Sequence, residues 1–452
     1  MSGDPVPATA TPGIDWPALP HAAGATMLAM QWQLERSQWW SREQIAEQQF
    51  RQLRQIAAHA VSEVPYYRDA LRRTGLRASE ITPDSLRRWP ILQTSVARSA
   101  ADQLYAARYP REHGALLETR TSGSTGMPLR IFQTDVSAFY VHALMVRDHL
   151  LHGRDLSLKF AITLGRTQHA FQPSWDLVNA MFETGPSVSL GASVGIDRQL
   201  EWILAEKPAY LHAHAANLRA LVLRSREVGV APEGMRQLIS QGGTLPPDLR
   251  TLARDLWRAA VADTYSCEEF GMLASQCPDH EHYLVNAENV HIEVLREDGT
   301  PCASGETGRV VVTGLHNFAM PLIRYDIGDY AEVGAPCPAG RGLPVLNRIL
   351  GRSRGILWDP TGRRTFPAIP ADVWLEVAPI RQFQVVQRTL EELDVRYVME
   401  RELSAYERLA ISGTLQERFG YRFDFSFIRV DSVAREPGGK FEDFVSLLPE
   451  AS

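Results

Sequence analysis

Apolar residues recur at helical spacing between Glu43 and Leu71, at Ile45, Phe50, Leu53, Ile56, Ala57, Ala60 and Val61. The spacing predicts one amphipathic helix that packs on a core. From Lys159 to Val261 the pattern alternates: strand-like runs at 160–164 and 209–212 are followed by helical stretches over 218–228 and 248–259. That alternation indicates an α/β sheet, in which ligands sit in the loops after the carboxyl ends of the strands. Residues 290–333 read as successive strands (291–295, 309–313, 329–333) with Gly-rich turns, a barrel-like or antiparallel element. After Gly351 a hairpin over 357–366, turning at Asp359-Pro360-Thr361-Gly362, leads to strands at 382–387 and 394–399, a helix at 405–419 and a strand at 423–430. The expected fold class is therefore α/β: a large domain of layered α/β sheets with a β-barrel-like element over 26–351, and a small, mobile α+β domain over 352–452. Residues 1–25, which begin rich in Pro, Ala and Thr, are expected to form a flexible arm.

Composition narrows the function classes. The chain has 452 residues, with 47 Lys and Arg against 53 Asp and Glu, a formal charge of −6 and 44% apolar residues. This is the profile of a soluble globular protein of several domains. Nucleic acid and anionic membranes recruit clustered cations, and no such cluster occurs, so neither is an expected partner. No run approaches the ~18 apolar residues of a membrane helix, and the N-terminus lacks the basic and apolar regions of a signal peptide. Four cysteines (Cys267, Cys277, Cys302, Cys337) without framework spacing point to a reducing, cytoplasmic setting. Only three lysines occur, Lys159, Lys207 and Lys440, and every other basic residue is arginine. Arg serves most solvated positions but cannot replace a compact ammonium, so each Lys is worth asking about.

The richest stretch is Thr119-Arg120-Thr121-Ser122-Gly123-Ser124-Thr125-Gly126-Met127-Pro128, between two strand-like runs. Such a loop can surround a polyphosphate with backbone N–H groups and hydroxyls. By composition alone a flexible hairpin turn is the commoner reading. It is neither a Walker loop nor the Gly-x-Ser-x-Gly nucleophile elbow. Downstream follow Gln241-Gly242-Gly243-Thr244, Tyr265-Ser266-Cys267-Glu268-Glu269-Phe270-Gly271, Arg324-Tyr325-Asp326-Ile327-Gly328-Asp329, Gly351-Arg352 and Arg435-Glu436-Pro437-Gly438-Gly439-Lys440.

Taken in order, this series resembles the core motifs of the adenylate-forming superfamily: acyl-CoA synthetases, peptide-synthetase adenylation domains and luciferases. Within it the phenylacetate-CoA ligase family is most similar, through Val64-Pro65-Tyr66-Tyr67-Arg68, Trp89-Pro90-Ile91-Leu92 and Pro321-Leu322-Ile323-Arg324-Tyr325. The likeness covers about residues 45 to 445. It implies that Thr121, Ser122, Gly123, Ser124, Thr125 and Gly126 hold the ATP phosphates. Tyr265 would stack on adenine, with Gly242 and Gly243 allowing close backbone approach. Asp329 would take the ribose hydroxyls, Arg352 would reach the nucleotide, and Glu269 would bind Mg²⁺. Arg354 falls at the hinge between domains. Lys440 is implied as the catalytic residue, its ammonium reaching between the substrate carboxylate and the α-phosphate. The acyl pocket would draw on His214, Gly243 and Thr244. Met127, Glu268 and Arg354 depart from the family's usual residues. Cys277, His282 and Cys337 match ligands of a structural zinc site, with His280 as a candidate fourth; Ala339 stands where relatives carry another Cys.

The activity so implied is ATP- and Mg²⁺-dependent adenylation of an aromatic (aryl or arylacetic) carboxylic acid, followed by acyl transfer to CoA. The same first step with transfer to an amine, a hydroxyl or a carrier-protein thiol is the alternative within enzymes. The three departures motivate a catalytically inactive nucleotide-binding protein, and a serine hydrolase would require a base near Ser122 or Ser124. Partners are then small molecules, with a dimer among the open oligomeric states.

Overall fold

The computed structural model describes residues 5–75, 77–120, 129–165, 169–433 and 442–448. The helical pattern after Glu43 resolves into two helices rather than one. Helix α1 (Arg42–Glu63) starts at a capping box between Ser41 and Gln44 and buries Ile45, Phe50, Leu53 and Ile56. It ends at Val64, whose backbone is extended, and Pro65 opens α2 (Pro65–Thr74). The break is local chemistry: a residue before proline is pushed out of the helical region, and proline, lacking an N–H, is accommodated in a first turn.

Strands β1 (Leu116–Arg120) and β2 (Arg130–Thr134) pair antiparallel, Arg120 opposite Arg130. Helix α3 (Asp135–Leu151) follows, capped by Thr134 and Ser137. Next come β3 (Phe160–Thr163), β4 (Tyr210–His214), α4 (Ala215–Val228) and β5 (Gln237–Gln241). Then β6 (Ala260–Cys267), β7 (Gly271–Gln276), β8 (Tyr283–Val285), β9 (Val290–Leu295), β10 (Thr307–Gly314), β11 (Tyr325–Val333) and β12 (Val345–Arg352) succeed one another. In the C-terminal segment β13 (Gln382–Gln387), β14 (Glu392–Val398), α5 (Ala405–Phe419), β15 (Asp424–Arg429) and β16 (Phe444–Ser446) complete the chain.

The chain divides into two compact units. The first comprises Met1–Phe160, Ala170–Val188 and Ala262–Ile349. Its strands run in the order β9-β10-β11-β12-β8-β7-β6. The β9-β10-β11 part is antiparallel, as one of the two sequence readings had it. Leu273, Leu284, Val310, Val312 and Tyr325 lie at its core. Gln49 of α1 ties that helix down by donating to the carbonyls of Ala287 and Val290, both at 2.9 Å.

The second unit comprises Ala161–His169, Ser189–Val261 and Leu350–Ser452. Here β5, β4 and β3 are neighbours, and β4 and β5 run parallel with His214 opposite Gln241. The expected helix over 248–259 is only a turn of α-helix, Leu249–Leu252, continued by a π-type turn, Ala253–Trp257. The C-terminal strands form a separate sheet ordered β15-β14-β13-β16. Helix α5 lays Ile411, Leu415 and Phe419 on the hydrophobic cluster of that segment.

Candidate active site

In the first unit, Tyr265 near the end of β6 and Asp329 within β11 meet directly. The tyrosine hydroxyl donates to Asp329 Oδ2 at 2.9 Å. Tyr265 is 6% exposed and belongs to the main core cluster. Asp329 is half-buried. Gly328, with φ +79°, supplies a backbone conformation just before it that L side chains rarely adopt.

Glu269 lies in the turn between β6 and β7. Its Oε1 accepts the hydroxyl of Tyr325 at 3.3 Å. Tyr325 is buried, and burial together with the Glu269 charge pushes its pKa up, so it remains a donor. Burial and the Glu269 charge likewise raise the Cys267 thiol well above its usual range, which keeps it protonated and inert. Glu268 is exposed, whereas Glu269 is half-buried. The extra carboxylate therefore points to solvent. A half-buried carboxylate held by a hydroxyl suits a hard cation with oxygen ligands such as Mg²⁺. The Tyr325 contact was not foreseen, although the residue stands in a quoted motif.

In the second unit, the carboxyl ends of β4 and β5 lie side by side. His214 Nδ1 is 3.0 Å from the carbonyl oxygen of Gln241, which fixes the tautomer that donates there. The loop that follows carries Gly242 at φ +71° and Gly243 at φ +152°. Next to them, Gly351 approaches Thr244 so closely that a Cβ on the glycine would lie 2.6 Å from the threonine hydroxyl. His214, Gly242, Gly243, Thr244 and Gly351, which precedes Arg352, are thus gathered at the strand ends where an open α/β sheet binds ligands. Arg352 is exposed. Arg354 donates through Nη2 to Glu442 Oε1 at 2.8 Å. Thr121, Ser122, Gly123, Ser124, Thr125, Gly126, Met127 and Lys440 lie outside the described residues.

Cys277 and Cys337 are buried, with their sulfurs 3.9 Å apart. They and His282 present ligand atoms within 4.8 Å of one another. His282 Nε2 is buried without a hydrogen-bond partner, and burial lowers its pKa, which keeps it neutral and able to ligate. Two thiols and a neutral imidazole fit a tetrahedral zinc ion. His280 stacks on His282 with ring centroids 5.3 Å apart and is not among the three.

A family model described as the CapK C-terminal domain matches residues 370–446. The chain is 24% identical over 201 residues to Protein CapK of Staphylococcus aureus, a match that takes in 43% of this chain and less than half, 44%, of CapK. It is 26% identical over 390 residues to phenylacetate-coenzyme A ligase of Thermus thermophilus, covering 78% of this chain and 81% of that one. Among solved structures, 2-hydroxyisobutyryl-CoA ligase in the postadenylation state with R3-HIB-AMP superposes with a TM-score of 0.74 at 18% identity, over 91% of each chain. The anthranilate CoA ligase AuaEII with anthranoyl-AMP gives 0.54 at 18% identity, over 79% of this chain and 74% of that one. The fold is that of the adenylate-forming enzymes. Within them, a relative that spans most of the chain is a phenylacetate-coenzyme A ligase.

Proposed function

We propose that the protein is an AMP-forming acid–thiol ligase: it adenylates an aromatic carboxylic acid with ATP and transfers the acyl group to CoA. The observation that carries this reading is the Tyr265–Asp329 hydrogen bond beside the Glu269–Tyr325 pair, two contacts made by β6 and the turn after it to residues of β11, which would face adenosine and the cation. In the reaction a carboxylate oxygen attacks the α-phosphorus and pyrophosphate leaves, so both anions must be gathered and the developing charge met by fixed donors. The loop Thr121–Gly126 would cradle the leaving phosphates. Asp329, fixed by the Tyr265 hydroxyl, would accept from the ribose. Glu269, oriented by Tyr325, would hold Mg²⁺, whose charge neutralises the phosphates. Lys440 would sit between the carboxylate and the α-phosphate, and Arg354 would act as the pivot of a C-terminal domain over 352–452.

His214, Gly243 and Thr244 would line the acid pocket. An aromatic acid is supported by the phenylacetate and anthranilate ligases among the relatives. Cys277, His282 and Cys337 would hold a structural zinc, which contributes to folding and not to the chemistry. The second reading keeps the adenylation and transfers the acyl group to an acceptor other than CoA. No helix among the described residues is long and apolar enough to cross a membrane.

The test is AMP release across a panel of benzoic, arylacetic and aminobenzoic acids, with and without CoA, and with the thioester identified by mass. An acid-dependent thioester supports the proposal. Acyl-adenylate that accumulates and ignores CoA moves the acceptor to the second reading, and tight ATP binding without turnover contradicts catalysis.

A further inference from the structure

Strands β10 and β11 do not pair residue for residue. Arg309 lies opposite Tyr330 and Val311 opposite Asp326, so Ile327, Gly328 and Asp329 together stand opposite Val310. The extra residues make a bulge, a device that bends a strand and re-aims a side chain. It presents the Asp329 carboxylate to the Tyr265 hydroxyl at 2.9 Å. Gly328 permits the bend, because its φ of +79° lies in the left-handed region that favours glycine.

One carboxylate spans the base of the bulge. Asp326 Oδ1 accepts the N–H of Gly328 at 3.0 Å, and its Oδ2 accepts from Arg309 Nη1 at 2.8 Å. The Asp326 carbonyl takes the Thr94 hydroxyl at 2.8 Å. The side chain of Asp326 is 7% exposed and that of Arg309 20%, so the pair is largely out of water, where a carboxylate needs a cation and hydrogen-bond donors. Glu297 flanks the arginine, with Oε2 3.7 Å from its Nε, and takes the Tyr330 hydroxyl on Oε1 at 3.4 Å. The contacts therefore run from Arg309 through Asp326 to the backbone N–H of Gly328, the residue before Asp329.

We infer that Arg309 and Asp326 are positioning residues for Asp329: their ion pair holds the bulge that aims its carboxylate at the ribose of a bound nucleotide. The inference rests on the reading of Asp329 as the ribose acceptor and adds two residues to which the resemblance assigns no role. Equilibrium binding of Mg-ATP and of Mg-2′,3′-dideoxy-ATP to the full-length chain, with no acid present, tests it. The wild type is expected to prefer ATP about tenfold, the scale of a hydrogen bond to a charged group. In Arg309→Met and Asp326→Ala that preference should shrink to about twofold, with dideoxy-ATP affinity held within about twofold. Asp326→Asn keeps an oxygen for the Gly328 N–H and Arg309→Lys keeps the charge, so both should retain an intermediate preference, and they carry the test if the harsher variants do not fold. Added to Asp329→Asn, Arg309→Met should change ATP affinity by less than about twofold, because the group it positions is already gone. An undiminished preference for ATP in the folded variants overturns the inference alone. Equal weakening of both nucleotides overturns it too, because the damage is then general. A wild type that binds ATP and dideoxy-ATP equally overturns the ribose role of Asp329 and this inference with it.

Discussion

Arg324 and Asp329 come from one short motif, yet they have opposite surroundings. Arg324 is 2% exposed and saturated: Nε and Nη2 donate to Glu293 at 2.8 and 3.1 Å, and Nη1 to the carbonyls of Arg87 and Trp89 at 2.9 and 2.6 Å. Its φ of +49° is a conformation that costs a non-glycine residue roughly 1–2 kcal/mol, and the surrounding network holds it there. Asp329 is half-buried beside the Tyr265 hydroxyl, at a surface a ligand can reach. The motif is scaffold at one end and carries a proposed site residue at the other. A substitution at the first should cost stability and one at the second should cost binding.

The largest expected effect breaks the scaffold end. Arg324→Met leaves the Glu293 carboxylate, 11% exposed, without its cation. It should destabilise the fold by about 3–5 kcal/mol in urea or thermal unfolding. A loss under about 1 kcal/mol would place Arg324 with the site instead.

A second buried charged cluster predicts how stability responds to pH. His152 at the end of α3 has a side chain 5% exposed, beside Asp148 and Arg154. Burial lowers its pKa to about 4, with Arg154 adding to the effect and Asp148 opposing it. The folded value lies below the unfolded one near 6.5. The unfolded chain therefore takes up the proton first, and stability falls as pH drops from about 6.5 to about 4, by up to about 3 kcal/mol. Asp148, held below the usual carboxylate range by Arg154 and His152 despite its burial, extends the loss to lower pH. Unfolding measured across that window should slope for the wild type and flatten for His152→Gln.

The site end should behave the other way. Asp329→Asn removes a charged acceptor and should raise the ATP KM about tenfold, or about 1.4 kcal/mol. Unfolding should change by no more than about 0.5 kcal/mol. The smallest effect is expected for Tyr325→Phe, which frees Glu269 of one hydrogen bond. A loss of about 1 kcal/mol should appear as an approximately fivefold greater Mg²⁺ requirement in exchange assays.

The same contrast explains what was legible in the sequence. Tyr265, Glu269 and Asp329 could be named as candidates because they stand in motifs that resemble those of a known family. The strand 382–387 and the helix 405–419 were legible because an amphipathic face imposes its own period. The break at Pro65 was written in the chain but was overridden by the helical spacing on both sides of it. The pairing of Arg309 with Asp326 was not legible: in a chain that uses arginine almost everywhere, a half-buried arginine looks like a solvated one until the fold brings a carboxylate from another strand to it. The outward turn of Glu268 is likewise a property of the turn after β6 and not of its residue type.

The central claim is that this site joins a carboxylate to the α-phosphate of ATP with Lys440 as the catalytic cation. Carboxylate-dependent ATP–pyrophosphate exchange, with Lys440→Ala beside the wild type, tests it most directly. The account predicts exchange with at least one aromatic acid and its loss by about a hundredfold or more in the variant. Equal exchange in both proteins, or none with any acid despite measurable ATP binding, would contradict it.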